Sequence, residues 1–163
     1  MNTAQAIVQI IANLQALTYG GGEPVFSDES VFASAAPEEE VYTSFRMPLA
    51  IIGVGAMRCD PEDPRLCDQT LTLRLAVTSL GDSRGTTALM GGHRVGATTD
   101  SRGRGLLELE TDIMGALGIA NAADSLPIEL RSAGGARPRL MDDGRYLLMR
   151  DYEFTAHLTT IPS

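Results

Sequence analysis

Two stretches of strict alternation constrain this chain more than anything else in it. In the first, Leu71, Leu73, Leu75 and Val77 alternate with Thr70, Thr72, Arg74, Ala76 and Thr78, the period of a half-buried β-strand. In the second, a final strand runs from Arg145 to about Leu158. There Tyr152, Phe154, Ala156 and Leu158 face one way, and Asp151, Glu153, Thr155 and His157 the other. A sheet built on such strands has one greasy face to cover, and two amphipathic segments can cover it. Thr3 can cap a helix whose Ile7, Ile10, Ile11, Leu14 and Leu17 fall on one stripe. That helix gives way at Tyr19-Gly20-Gly21-Gly22. Leu106, Leu109, Ile113 and Leu117 form a second stripe that stops near Gly118, with Glu108, Glu110 and Asp112 mostly off it.

The remaining segments extend the sheet. Val41 to Arg46 and Leu49 to Met57 have strand composition, with Pro48 at a strand edge. The turn-rich segment from Cys59 to Cys67 then forms the tip of a long β-hairpin whose second arm is the alternating run at Thr70 to Thr78. Ile128 to Arg131 and Arg137 to Met141 read as strands around a Gly134-Gly135 turn, and Asp142-Asp143-Gly144 turns into the final strand. Glu23 to Glu40 reads as irregular structure with one short strand, and Glu38-Glu39-Glu40 as a solvated face. The expectation is one α+β domain over residues 1–163, an antiparallel sheet of about four or five strands with two helices packed on one face.

Between the two patterned halves lies a break from Gly81 to Arg104, holding six glycines, four arginines and no aromatic residue. Loops longer than about 12–15 residues are uncommon inside compact domains and are usually functional or disordered. Ordering so many glycines costs conformational entropy with little apolar burial in return. The break reads as an extended loop at 81–104, suited to contact rather than to a core. A surface insertion without a role is the competing reading.

Composition narrows the function classes. Hydrophobic residues make up 44% of the chain and charged residues 21%, ordinary values for a globular protein. The apolar runs Ile7 to Ile11 and Leu49 to Met57 are too short to cross a bilayer, so no membrane partner is expected. The N-terminus lacks a basic region before its apolar residues, which argues against a secretory signal. All thirteen basic residues are Arg, leaving no Lys for Schiff-base or phosphate-loop chemistry. Net charge is −8, and residues 1–80 carry ten acids against four Arg, whereas residues 81–163 carry eleven against nine. Such a chain is poorly suited to gripping a phosphate backbone.

Tests for catalytic or ligand chemistry find no site. Gly53-Val54-Gly55-Ala56-Met57 begins like a dinucleotide fingerprint, but Arg58-Cys59-Asp60-Pro61 follows where a helix N-terminus is required. A strand with close-packed glycines fits better. Cys59 and Cys67 leave a disulfide, a metal pair and two free thiols all open. His93 and His157 are the only histidines, and His157 falls on the more polar face of the last strand. Neither sits in a nucleophile context. Asp142-Asp143 occupies a turn where Asp is favoured for backbone reasons. No catalytic residue, cofactor or metal is expected.

The N-terminal helix, the hairpin introduced by Arg46-Met47-Pro48-Leu49-Ala50-Ile51-Ile52, the second helix from Gly105 to Gly118 and the closing strand Arg145-Tyr146-Leu147-Leu148-Met149-Arg150-Asp151-Tyr152-Glu153-Phe154 together resemble the tail terminator proteins of long-tailed bacteriophages. The similarity is one of element order and patterning and covers nearly all the chain except the break. It implies a structural virion protein, typically a hexameric ring, seated on the head-proximal end of the tail tube. Such a ring ends tube growth and joins the tail to a head-side neck or connector protein, while double-stranded DNA passes through its lumen without specific binding. Acidic residues around a lumen would repel phosphates and let DNA slide. Arg84, Arg94, Arg102 and Arg104 of the break are then candidates for an inter-subunit or ring-to-ring contact. A stopper or tail-tube subunit is the nearest alternative, and a small ligand-binding domain or enzyme a more distant one.

Overall fold

Two fifteen-residue strands form the spine of the molecule: β3, Leu66–Leu80, and β6, Arg145–Thr159. They run antiparallel along their whole length, from Leu66 opposite Thr159 to Leu80 opposite Arg145. The computed structural model describes residues 1–19, 22–80, 86–90, 105–118, 126–141 and 145–159, without the side chains of residues 43, 79, 80, 86, 87, 145 and 146. On one side of the spine β2, Leu49–Cys59, completes the expected hairpin, and β1, Val31–Ala33, lies outside it. On the other side β4, Ile128–Ala133, and β5, Arg137–Leu140, share the free edge of β6, β4 along 152–156 and β5 along 146–149.

The fold is α+β, as the patterning implies, with a six-stranded sheet. It is mixed rather than wholly antiparallel, because β1 pairs with β2 in parallel. The reason lies in residues 34–48, which cross the sheet's second face before returning to start β2. Val41 to Arg46 is correspondingly not a strand: Pro37–Glu39 and Tyr42–Ser44 form two 3-10 turns. Strand-forming composition yields here to a crossover that must bend twice.

Three helices cover the first face. α1, Thr3–Gln15, buries Ala6, Ile10 and Leu14; α3, Leu106–Ala116, buries Leu106, Leu109 and Ile113. These side chains join Leu71, Leu73, Leu75, Val77, Tyr152, Phe154, Ala156 and Leu158 in one core, so both alternating strands point the way their period requires. Val25 and Phe26 close the same core below α1. The α1 cap is Asn2 rather than Thr3. The Asn2 carboxamide accepts from the Gln5 backbone N–H at 2.9 Å while Gln5 Oε1 accepts from the Asn2 N–H at 2.9 Å, a reciprocal capping box. Gly118, at φ +77°, ends α3 in the left-handed conformation that glycine tolerates best.

The break is not wholly outside the core. One of its glycine-free runs forms α2, Thr86–Met90, whose Ala88 is buried against the same core. The other residues of 81–104 lie outside the described set.

Candidate assembly surface

The second face of the sheet is where the structure departs most from the sequence reading. Tyr42, Leu49, Ile51, Ala76 and Leu147 form a smaller core there, with Phe32, Phe45, Met47, Met141 and Met149 packed against it. Beside it sits Arg74, expected on a solvated face but only 5% exposed. Its position on β3 places it between Ile51 and Asp151, and the crossover strap closes over it.

All five guanidinium N–H groups are used. Nε and Nη2 donate to the two Asp151 carboxylate oxygens at 2.8 and 3.0 Å. Nη2 and Nη1 donate to the Glu38 carboxylate at 2.6 and 3.0 Å, and Nη1 also to the Tyr42 hydroxyl at 2.8 Å. Arg137 of β5 donates to Asp151 at 2.7 Å. The Arg74 guanidinium holds the Asp151 and Glu38 carboxyls below the usual carboxylate range. Asp151 chiefly, then Glu38 and Tyr42, raise Arg74 in turn. Three distant pieces of chain, the strap, β3 and β6, are thus tied at one cation, and β5 joins them through Asp151. Glu38, expected to be merely solvated, is one of its anchors.

A second tie fastens the helical layer. Arg150 Nη1 donates to Glu110 Oε2 of α3 at 2.8 Å, the Tyr152 hydroxyl donates to the same oxygen at 3.0 Å, and Arg150 Nε donates to the Gly134 carbonyl at 2.8 Å. Burial, and then the Glu110 carboxylate, push the Tyr152 phenol upward, so it stays a neutral donor.

Next to Arg74 is a cleft of about 210 Å³ lined by Pro37, Glu38, Gly53, Gly55, Thr72 and Asp151. Its charged groups, Glu38, Arg74 and Asp151, already bond one another. Gly53 and Gly55 do lie on a strand, as expected. A Cβ on Gly53 would stand 2.5 Å from Thr72 Oγ1 and 3.2 Å from Pro37 Cγ, so the strap can lie down only where the strand lacks side chains. Another cleft, of about 280 Å³, lies between Tyr19 with Glu23–Asp28 and Arg46–Pro48. Among the described residues no three His, Cys, Asp or Glu side chains converge for a metal ion. No described helix is long and apolar enough to cross a membrane.

The two longest exposed stretches among the described residues contribute to neither core. The hairpin beyond Gly53 is exposed from Val54 to Leu66 except at Asp63. Its tip is closed by a disulfide between Cys59 and Cys67, which settles the pairing that spacing left open. Asp60 Oδ1 accepts the Glu62 and Asp63 N–H groups, and Arg65 pairs with Asp63. The other stretch is residues 131–140, every one of them exposed. His157 lies on the polar face as expected, between Asp68 at 2.7 Å and Glu129 at 3.4 Å. The arginines expected to make contacts, Arg84, Arg94, Arg102 and Arg104, lie outside the described residues, as do His93 and the Asp142-Asp143-Gly144 turn. No protein-family model and no curated protein matches this chain.

Proposed function

We propose that this chain is a ring-forming virion protein of a long-tailed bacteriophage. In this reading it is a tail terminator that caps the head-proximal end of the tube, stops its growth and presents a docking face to the neck. The observation that carries the reading is the surface left over after folding. One core is complete on the helical face and a second is tied down by Arg74, yet the arm at 54–66 and the edge at 131–140 serve neither. A subunit that must touch neighbours on two sides needs such projections. The order of helix, hairpin, helix and closing strand is also the order on which the resemblance to tail terminators rests. Arg84, Arg94, Arg102 and Arg104 are assigned to the contact with a neighbouring subunit or ring, and the acidic balance of the chain to a lumen that DNA traverses without adhering.

The test is to let tube subunits of the same phage polymerise with and without this chain and to measure tube length by electron microscopy. Capped, shortened tubes bearing a ring at one end are expected. Tubes of unchanged length with bare ends would refute the reading, and polymerisation of the chain alone into open tubes would make it a tube subunit instead.

A further inference from the structure

The two leftover surfaces differ in charge and sit on opposite sides of β6. The tip segment from Cys59 to Cys67 carries Asp60, Glu62 and Asp63 against Arg65 alone. The segment from Arg131 to Leu140 carries Arg131, Arg137 and Arg139 and no acid. Cys67 lies opposite Leu158 of β6, whereas Pro138 of β5 lies opposite Leu148. At roughly 3.3 Å per residue, those ten positions put Pro138 about 33 Å along the strand from the disulfide, while the Arg131 end of the basic edge, beside Phe154, lies about 13 Å along it. The hairpin lies on the β3 side of β6 and β5 on the other, so the acidic tip and the basic edge of one chain lie across the sheet from each other.

We infer that the acidic, disulfide-closed tip of one copy seats against the Arg131–Leu140 edge of the next copy. The contact rests on the ring reading and supplies it with a specific subunit joint. Both surfaces carry what a protein interface uses. Glu62 and Arg139 pair with no other side chain among the described residues. The Arg131–Glu129 pair is half-exposed at 3.3 Å, so it contributes little and can be exchanged for a partner's carboxylate. Each patch also offers an exposed apolar side chain, Leu66 on the hairpin and Leu140, 70% exposed, on the edge. Pro138 and its flanking arginines keep this edge from pairing indiscriminately with any other strand, which leaves charge to select the occupant. Because the two patches are unlike, each contact leaves a tip free on one copy and an edge free on the other. Such a joint propagates head to tail until it closes.

The experiment is charge reversal in the full chain, read by sedimentation velocity over a concentration series at low salt. Glu62→Arg alone and Arg139→Glu alone should each raise the concentration needed for assembly by about tenfold or more, and the double variant should return to within about threefold of the parent. Thermal melts establish that each variant is folded, and Glu62→Gln with Arg139→Gln replaces any that is not, each expected to weaken assembly by about threefold. Rings indifferent to all these changes, or a double variant no better than the singles, would overturn the joint and leave the ring reading standing. A parent chain that never assembles would instead remove the ring reading beneath it.

Discussion

Removing the cation at Arg74 should be milder than removing its carboxylates. Arg74 is 5% exposed, whereas the side chains of Glu38 and Asp151 are 75% and 39% exposed. Arg74→Met keeps the buried stem and frees two carboxylates that water can reach, so the loss is about 1–2 kcal/mol, spread over charge-assisted bonds at a wet rim. Glu38→Ala with Asp151→Ala leaves a guanidinium inside with only the Tyr42 hydroxyl as partner. Stranding a buried charge costs about 3–5 kcal/mol. For a chain of this size each kcal/mol moves the melting temperature by about 2–4 °C, so drops of about 2–8 °C and about 6–20 °C are expected. Urea unfolding followed by circular dichroism ranks the two variants. If Arg74→Met proves the more damaging, the guanidinium is not the desolvated member of the network and the reasoning fails.

The same network sets a pH dependence. Asp151 and Glu38 titrate lower in the folded chain, because Arg74 binds their ionised forms. Their stabilisation is complete above the unfolded carboxylate range near pH 4 and is lost as pH falls through their folded values. Melts between about pH 6 and pH 2 should show that loss, and Arg74→Met should flatten it. Gly53→Ala should destabilise by about 1–3 kcal/mol through the clash with Thr72 Oγ1, and Thr72→Ala on the same chain should recover part of it in denaturant titrations. Replacing both Cys59 and Cys67 by Ser should cost about 2–3 kcal/mol for the eight-residue separation they close, and unfolding of the reduced parent should match. Asn2→Ala should lose about 1 kcal/mol of α1 capping by the same assay.

Much of the architecture was legible because it rests on period. Leu71 to Val77 and Tyr152 to Leu158 announce their buried face by alternation, and Leu106, Leu109, Ile113 and Leu117 by helical spacing. Alternation says which side chains share a face but not whether the other face is covered, and for that reason Arg74 reads as solvated when it is buried. The cover comes from residues 34–48, an irregular strap whose docking depends on Gly53, Glu38 and Tyr42 rather than on any period. The same segment hid the parallel pairing of β1, since crossover direction is a property of the strap's path. Asn2 with Gln5 was a readable capping signal beside the weaker one at Thr3. Ala88 was obscured by the glycines around it, which dominate the composition of the break. As for the candidate site, the hairpin tip was marked by its cysteines and turn residues, but the exposure of residues 131–140 depends on β4 and β5 sharing one edge, a matter of topology.

Native mass measurement of the full chain over a range of concentrations addresses the central claim most directly. A closed particle of about six copies, with no open series of larger species, is the outcome the ring reading requires. A chain that remains a monomer at the highest concentration reached, or that grows into filaments without closing, contradicts it.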